Sequence, residues 1–283
     1  MAGSEVSSPV PFGLVAKRIR FAAHSVASGH VRRTFKHPRF CLAVEDEIAW
    51  ADLPREPPKP EPLDELFVVL VPPGAAGAWA ETGAGWLAPV ADPDAPAVSV
   101  THKGDRIEWR PGRAVVFLAG AVRDEVLPAV AEFAFYEAEL RRLEGELDAR
   151  EAVAQEDVPR TQTIRRRDKA HWPRFEAAIE AFARMRLAAA RLFPRFEHLS
   201  GVAPGPSAAK LAARLLRHAQ VERRSALVDA RLEACEDLYE GANDRVADHK
   251  GWRDGHVLEV IIVLLLLLEV VLLTWDLLVR TGD

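Results

Sequence analysis

Two carboxylates set inside an aliphatic run are the most unusual chemistry in this sequence. Val257–Leu273 holds 17 residues, 15 of them aliphatic, interrupted only by Glu259 and Glu269. A helix rises about 1.5 Å per residue, so Val257–Val279 is long enough to cross a hydrocarbon layer of about 30 Å. An ionised carboxylate near the middle of that layer costs about 2.5–3.5 kcal/mol. The fifteen aliphatic residues contribute roughly −4 to −9 kcal/mol, so insertion is favoured with Glu269 in place. Asp276 follows Glu269 by seven residues, on the same face of a helix. A polar stripe of Glu269 and Asp276, with Glu259 near the start of the same span, points to contact with another span, in a homo-oligomer or a membrane partner protein. The alternative is a Glu269 that is protonated and packed locally.

A second set of residues suits anion binding. Arg160, Arg165, Arg166, Arg167, Lys169 and Arg174 form a basic stretch with His171 and Trp172 beside it. Cationic side chains could hold nucleic-acid phosphates while Trp172 stacks on a base. Pairing with the acidic block at 124–157, or contact with anionic lipid, is the commoner fate of such a run.

Catalytic spacings are missing from the sequence. Pro73-Gly74-Ala75-Ala76-Gly77 has no Gly-Lys-Ser/Thr to place a lysine on a phosphate, and Gly201…Gly205…Lys210 is spaced wrongly. There is no His-Glu-x-x-His, and His24, His30 and His37, spaced by 6 and 7, make at most a loose cluster. No Gly-x-Ser-x-Gly elbow occurs. Cys41 and Cys235 have no metal-type spacing and form no disulfide framework; both are expected as small buried residues. The expectation is a tail-anchored membrane protein acting as a structural or assembly factor and not as an enzyme, with no cofactor and no metal. The alternatives are a membrane tether for RNA or the ribosome and, third, a hydrolase or transferase in the β-rich half.

The elements that position these residues fall into two halves. Before residue 120 the signals are strand-like: Arg39–Val44, Leu66–Val71, Ala97–Thr101, Arg106–Trp109 and Ala114–Leu118. His102-Lys103-Gly104-Asp105 reads as a hairpin loop, and Pro54–Pro62, with five prolines, as a stiff connector. Val15, Ile19, Ala22 and Val26 share one helical face, which predicts a helix over Val15–Val26. After residue 120 the period is helical. Ala129, Phe133, Tyr136, Leu140, Leu143 and Leu147 step by 4, 3, 4, 3, 4, and Val228, Leu232, Cys235, Tyr239, Ala242 and Val246 repeat the pattern. Between them, Phe175–Phe193 predicts a second helix ending near Pro194. The third is predicted to start near Ser207 and run on toward the membrane, with a hinge at Gly251 and Gly255.

The chain has 283 residues and a net charge of −5, so there is room for one large or two small domains, and no whole-chain field selects a partner. Its charges come in blocks: residues 17–39 basic, 45–65 acidic, 124–157 acidic and 160–195 basic. Such blocks are expected to pair inside a fold. Between Val6 and Val44 there are seven Lys or Arg and no acid, the composition of a mitochondrial transit peptide or of a basic surface helix. The heavy use of Ala, Arg, Pro and Val favours the latter, in a bacterial protein.

The order of a β-rich half, a heptad-patterned half and the tail Leu258-Glu259-Val260-Ile261-Ile262…Glu269-Val270-Val271 resembles the required-for-meiotic-nuclear-division family, a domain of unknown function. Arg223-Arg224, Leu227 and Arg231-Leu232 resemble its Arg…Leu-Asn-x-Arg-Leu segment, with Asp229 where Asn is usual. Arg39-Phe40-Cys41-Leu42-Ala43 resembles its opening strand, and Val126–Leu147 its first long helix. Val260 departs from the family's Trp. The resemblance implies a C-terminal membrane anchor. For mitochondrial members it implies an inner-membrane site and support of translation.

The sequence thus predicts an α+β protein. Residues 1–38 form a basic helical segment, 39–119 a β-rich domain, 120–255 a long-helix bundle or coiled coil, and 256–280 a transmembrane helix. Its expected partners are the lipid bilayer, a second copy or membrane partner, and secondarily RNA or the ribosome. Arg245, Lys250 and Arg253 precede the span against Arg280 after it, which places the body in the cytoplasm of a bacterial inner membrane. The mitochondrial inner membrane, with the body in the matrix, is the alternative.

Overall fold

Alternating apolar and charged residues along short β-branched runs make a strand that can cover a core on one face and meet water on the other. The computed structural model, which describes residues 13–23, 30–54, 64–87, 97–120, 124–162, 172–197 and 205–281, builds seven such strands into one sheet. They are β1 (Val15–Ala22), β2 (His30–Phe35), β3 (Cys41–Ile48), β4 (Glu65–Val71), β5 (Val98–His102), β6 (Asp105–Arg110) and β7 (Arg113–Phe117). Their spatial order is β2-β3-β1-β4-β7-β6-β5. Only β4 and β7 run parallel; the other neighbours are antiparallel. The described helices are α1 (Ala76–Thr82), α2 (Val126–Gln162), α3 (Trp172–Glu197), α4 (Pro206–His218) and α5 (Val221–Thr281). The α+β class and the division into a β-rich first half and long helices in the second are as expected.

Three expectations are corrected. Val15–Val26 does not open as a helix: Val15–Ala22 is a strand, flanked on both sides by β3 and β4. Val15, Lys17, Ile19 and Phe21 also alternate with period 2, and sixteen backbone groups in an eight-residue strand are best satisfied where two ladders are on offer. The basic segment at 1–38 therefore supplies two strands, β1 and β2. The third long helix is two helices. The chain turns at Ala219-Gln220, where Gln220 takes φ 53°, a left-handed residue that ends α4 without a glycine. The expected hinge at Gly251 and Gly255 is continuous helix.

The chain divides into two compact units. One runs to Arg150 and takes in Met185–Leu232; the other comprises Glu151–Arg184 and Glu233–Asp283. In the first, α2 lies on one face of the sheet. Phe133 meets Trp109 of β6 edge-on, with centroids 4.7 Å apart, and Phe135 stacks on Phe35 of β2 at 4.1 Å. Every residue from Ala129 to Glu137 is buried, because helices cover the other side: Phe196 of α3 meets Tyr136, and Arg224 of α5 reaches Glu137. The narrow heptad seam of the sequence is thus only part of the buried surface of α2. The opposite face of the sheet is covered by Trp79 of α1 and by Trp86, packed on Ala16, Val69, Val71 and Val115. Gly83 is required there, since a Cβ would lie 2.3 Å from the Trp79 ring.

The charge blocks pair as their sequence order suggests. Arg20 meets Asp46 at 2.7 Å, Arg39 bridges Asp64 and Glu139 at 2.6 and 2.9 Å, and Lys17 meets Glu45. Arg33 reaches under α2 to Glu132 at 2.8 Å. Burial pushes the Glu132 carboxyl up to about 7, against the pull of Arg33. Its folded value exceeds the ordinary 4.5, so its contribution to stability is full below about pH 4.5 and is lost as pH rises through about 7. Glu132→Gln is expected to remove that fall, whose slope is at most about 1.4 kcal/mol per pH unit. Urea unfolding at pH 5, 6, 7 and 8 measures it. A variant with the same pH dependence as the parent would show that another group carries the slope.

Candidate functional site

A long helix in water survives by burying a stripe, and α5 does so over its first half. Val228, Leu232, Cys235, Tyr239 and Ala242 are all buried, at the spacing of the expected seam. The pattern then changes. Between Leu258 and Leu272 there are 13 aliphatic residues and two glutamates, and every residue is exposed. The apolar ones are 46–62% exposed on all sides of the helix. A helix that is aliphatic all round is built for an apolar surrounding, and one that shows this much apolar surface marks an interaction site. No helix among the described residues is long and apolar enough to cross a membrane. The exposed stretch from Leu258 to Leu272 measures about 22 Å at 1.5 Å per residue, against about 30 Å for a hydrocarbon layer.

Glu269 projects from this surface. The residues one turn away on either side, Leu265, Leu266, Leu272 and Leu273, are all leucine, so its own helix supplies it no cation within a turn. Glu259 sits near the start of the same stretch and is exposed. Asp276 is placed in the continuing helix, seven residues on; its side chain is outside the described residues.

Arg165, Arg166, Arg167 and Lys169 lie outside the described residues. Trp172 opens α3 and is half-buried. The flanking arginines are engaged within the second unit. Asp157 of α2 is fully buried and accepts from Tyr239 Oη at 3.0 Å, Arg174 Nε at 3.0 Å and Arg160 at 3.2 Å. Phe175 and Phe182 of α3 pack on the Tyr239 ring. Burial and the Asp157 charge raise the Tyr239 hydroxyl above its ordinary value, which keeps it a donor. This node joins α2, α3 and α5, and it takes Arg160 and Arg174 into internal pairing.

Elsewhere the chemistry is sparse. Cys41 and Cys235 are buried thiols that are not joined in a disulfide. Burial lifts the Cys41 thiol to about 11, so it is not a thiolate at neutral pH. Among the described residues no group of three or more His, Cys, Asp or Glu could hold a metal ion. A cavity lined by Phe21, Glu65, Trp109, Glu137 and Arg141 has an inner volume of about 20 Å³, room for one or two water molecules and no organic ligand.

One cluster escapes sequence reasoning. His102, the last residue of β5, places Nε2 3.0 Å from Ser207 Oγ at the start of α4. Glu125 also hydrogen-bonds Ser207, and that bond, with Lys103 and His102 nearby, holds its carboxyl below the usual range. Lys103 reaches Glu125 at 3.4 Å. Arg214 of α4 donates to the Thr101 carbonyl at 3.0 Å and ties the helix to the strand. His102 and Ser207 are 105 residues apart, and no local spacing joins them. The only sequence signals are the Lys103-Gly104 turn and the Gly-Pro-Ser helix start. No protein-family model and no curated protein matches this chain.

Proposed function

We propose that the protein is a membrane-anchored structural or assembly factor, held in the bilayer by the Val257–Val279 stretch of α5. The observation that supports this reading is the all-round exposure of the aliphatic residues between Leu258 and Leu272. At about −0.3 to −0.6 kcal/mol per residue, the 13 aliphatics supply roughly −4 to −8 kcal/mol, enough to offset about 2.5–3.5 kcal/mol for Glu269. Residues on either side, as far as Val279, extend the span to the thickness of a bilayer.

Glu269, with no cation one turn away on its own helix, and Asp276 on its face suit contact with a second span, in a homo-oligomer or a membrane partner. The tail resembles that of the required-for-meiotic-nuclear-division family, which adds to the same reading. Arg245, Lys250 and Arg253 on the N-terminal side support a body in the cytoplasm, or in the matrix of a mitochondrion. A tether for RNA or the ribosome draws no support from Arg160 and Arg174, which pair with Asp157.

Membrane fractionation tests the reading. The full chain is expected in the membrane pellet after an alkaline carbonate wash, and protease outside intact spheroplasts is expected to spare residues 1–250. A protein recovered as a soluble monomer without detergent would contradict the anchor. Digestion of the body from outside would reverse the orientation.

A further inference from the structure

We propose that Ser207 is an acyl-accepting nucleophile, with His102 as its general base and Asp105 as the residue that orients His102. The arrangement rests on the β5–β6 hairpin and α4, and on nothing in α5.

The hairpin fixes the histidine. Lys103 and Gly104 form its two-residue turn with φ of 52° and 92°, both in the left-handed region that such a turn requires. His102 and Asp105 are directly paired across it, so their side chains share one face of the sheet at cross-strand distance. Asp105 is fully buried, and its Oδ1 accepts the Ala119 N–H at 2.8 Å. The Nδ1 hydrogen of His102 is assigned to the side of Asp105, its partner across the hairpin. Nε2 then presents its lone pair to Ser207 Oγ at 3.0 Å. His102 is 9% exposed and Ser207 is half-buried, so the serine is the more accessible of the two.

Glu125 is the rival acceptor. When the Ser207 hydroxyl donates to Glu125, His102 must donate from Nε2, and the serine is not activated. When it turns to Nε2, the serine is poised. Lys103 draws the Glu125 carboxylate toward itself at 3.4 Å.

The substrate class is a carboxylic ester presented from solvent. Ser207 Oγ forms the new bond to the carbonyl carbon as its proton passes to His102 Nε2. The tetrahedral intermediate expels the alcohol, which leaves with that proton. Water then attacks the acyl-serine, giving its proton to His102, and the acid is released as Ser207 Oγ takes the proton back. The developing oxyanion lies beside the first turn of α4, whose leading N–H groups have no intrahelical acceptor.

A merely structural tie between hairpin and helix would hold the same atoms at the same distances but would have no reactivity. The test is labelling of the full-length protein in mild detergent with a biotinylated fluorophosphonate. There the P–F bond breaks, an Oγ–P bond forms, fluoride leaves and the proton goes to His102. One adduct is expected, on the peptide carrying Ser207, and none in Ser207→Ala. His102→Gln is expected to slow labelling by about 10²-fold or more, the usual size of a lost general base. Asp105→Asn slows it too, whereas Glu125→Gln speeds it, because the competing acceptor is weakened. Circular dichroism checks that each variant is folded. If His102→Gln is not, the parent's own labelling rate decides, since it should rise between about pH 5 and 8 as an imidazole loses its proton. No adduct on the folded parent, equal labelling in a folded His102→Gln, or a pH-independent rate overturns the proposal.

Discussion

Replacing Leu265 and Leu266 together with arginine is expected to release the protein from membranes. Both leucines lie near the middle of the exposed aliphatic stretch, 60% and 56% exposed. Each arginine at that depth costs about 2.5–3.5 kcal/mol, and each lost leucine forfeits about 0.3–0.6 kcal/mol. The pair therefore shifts insertion by roughly 6–8 kcal/mol, against a favourable total of roughly 4–8 kcal/mol before Glu269 is counted. The sign reverses. The measurement is the fraction of protein left in the carbonate-washed pellet, which should fall from nearly all to nearly none. Glu269→Leu is the opposite control. It removes the carboxylate, strengthens retention, and should alter the detergent cross-linking pattern if Glu269 joins spans. Full retention of the double arginine variant would mean that the stretch docks on protein or lies beside water.

Phe133→Ala is expected to cost about 3–5 kcal/mol, the range for removing a large aromatic side chain from a packed core. Phe133 is fully buried on α2 and packs edge-on against Trp109, itself 1% exposed. At this level α2 is enclosed by sheet and helices. Leu227→Ala, on an exposed face of α5, should stay within about 0.5 kcal/mol. Urea unfolding followed by near-ultraviolet circular dichroism reads both. A Phe133→Ala effect below about 1 kcal/mol would show that the α2–sheet contact is not the core of the first unit.

The fold was legible where one period acted alone. Leu66–Val71 and Ala114–Leu118 read as strands because continuous β-branched runs of that length suit a sheet centre, and they became the parallel pair β4 and β7. The hairpin was legible from Lys103-Gly104. Val15–Ala22 was misread because Val15, Ile19 and Ala22 satisfy a helical face while Val15, Lys17, Ile19 and Phe21 satisfy a strand, and tertiary pairing decided between them. The break before α5 was hidden because Gln220 adopts a conformation that usually announces itself as glycine.

Of the candidate sites, the aliphatic stretch could be read directly, since contiguous residues of one kind carry it. The fate of Arg160 and Arg174 could be anticipated only as pairing between blocks; that Asp157 alone gathers both, with Tyr239, depends on helix packing. Ser207 and His102 could not be read at all. Their meeting needs β5, α4 and the Arg214 tie between them, none of which leaves a mark in local spacing.

The most direct measurement is the depth of Leu265. A nitroxide would be attached to single cysteines at Leu258, Leu265 and Leu272, in a chain whose buried Cys41 and Cys235 are replaced, and the protein reconstituted into liposomes. Electron paramagnetic resonance with oxygen and a water-soluble nickel chelate reports the surroundings of each label. The expected result is strong oxygen and negligible nickel access at Leu265, with greater nickel access at Leu258 and Leu272 nearer the two surfaces. Nickel access at Leu265 equal to that of a label at the exposed Leu227 would contradict a membrane-held α5.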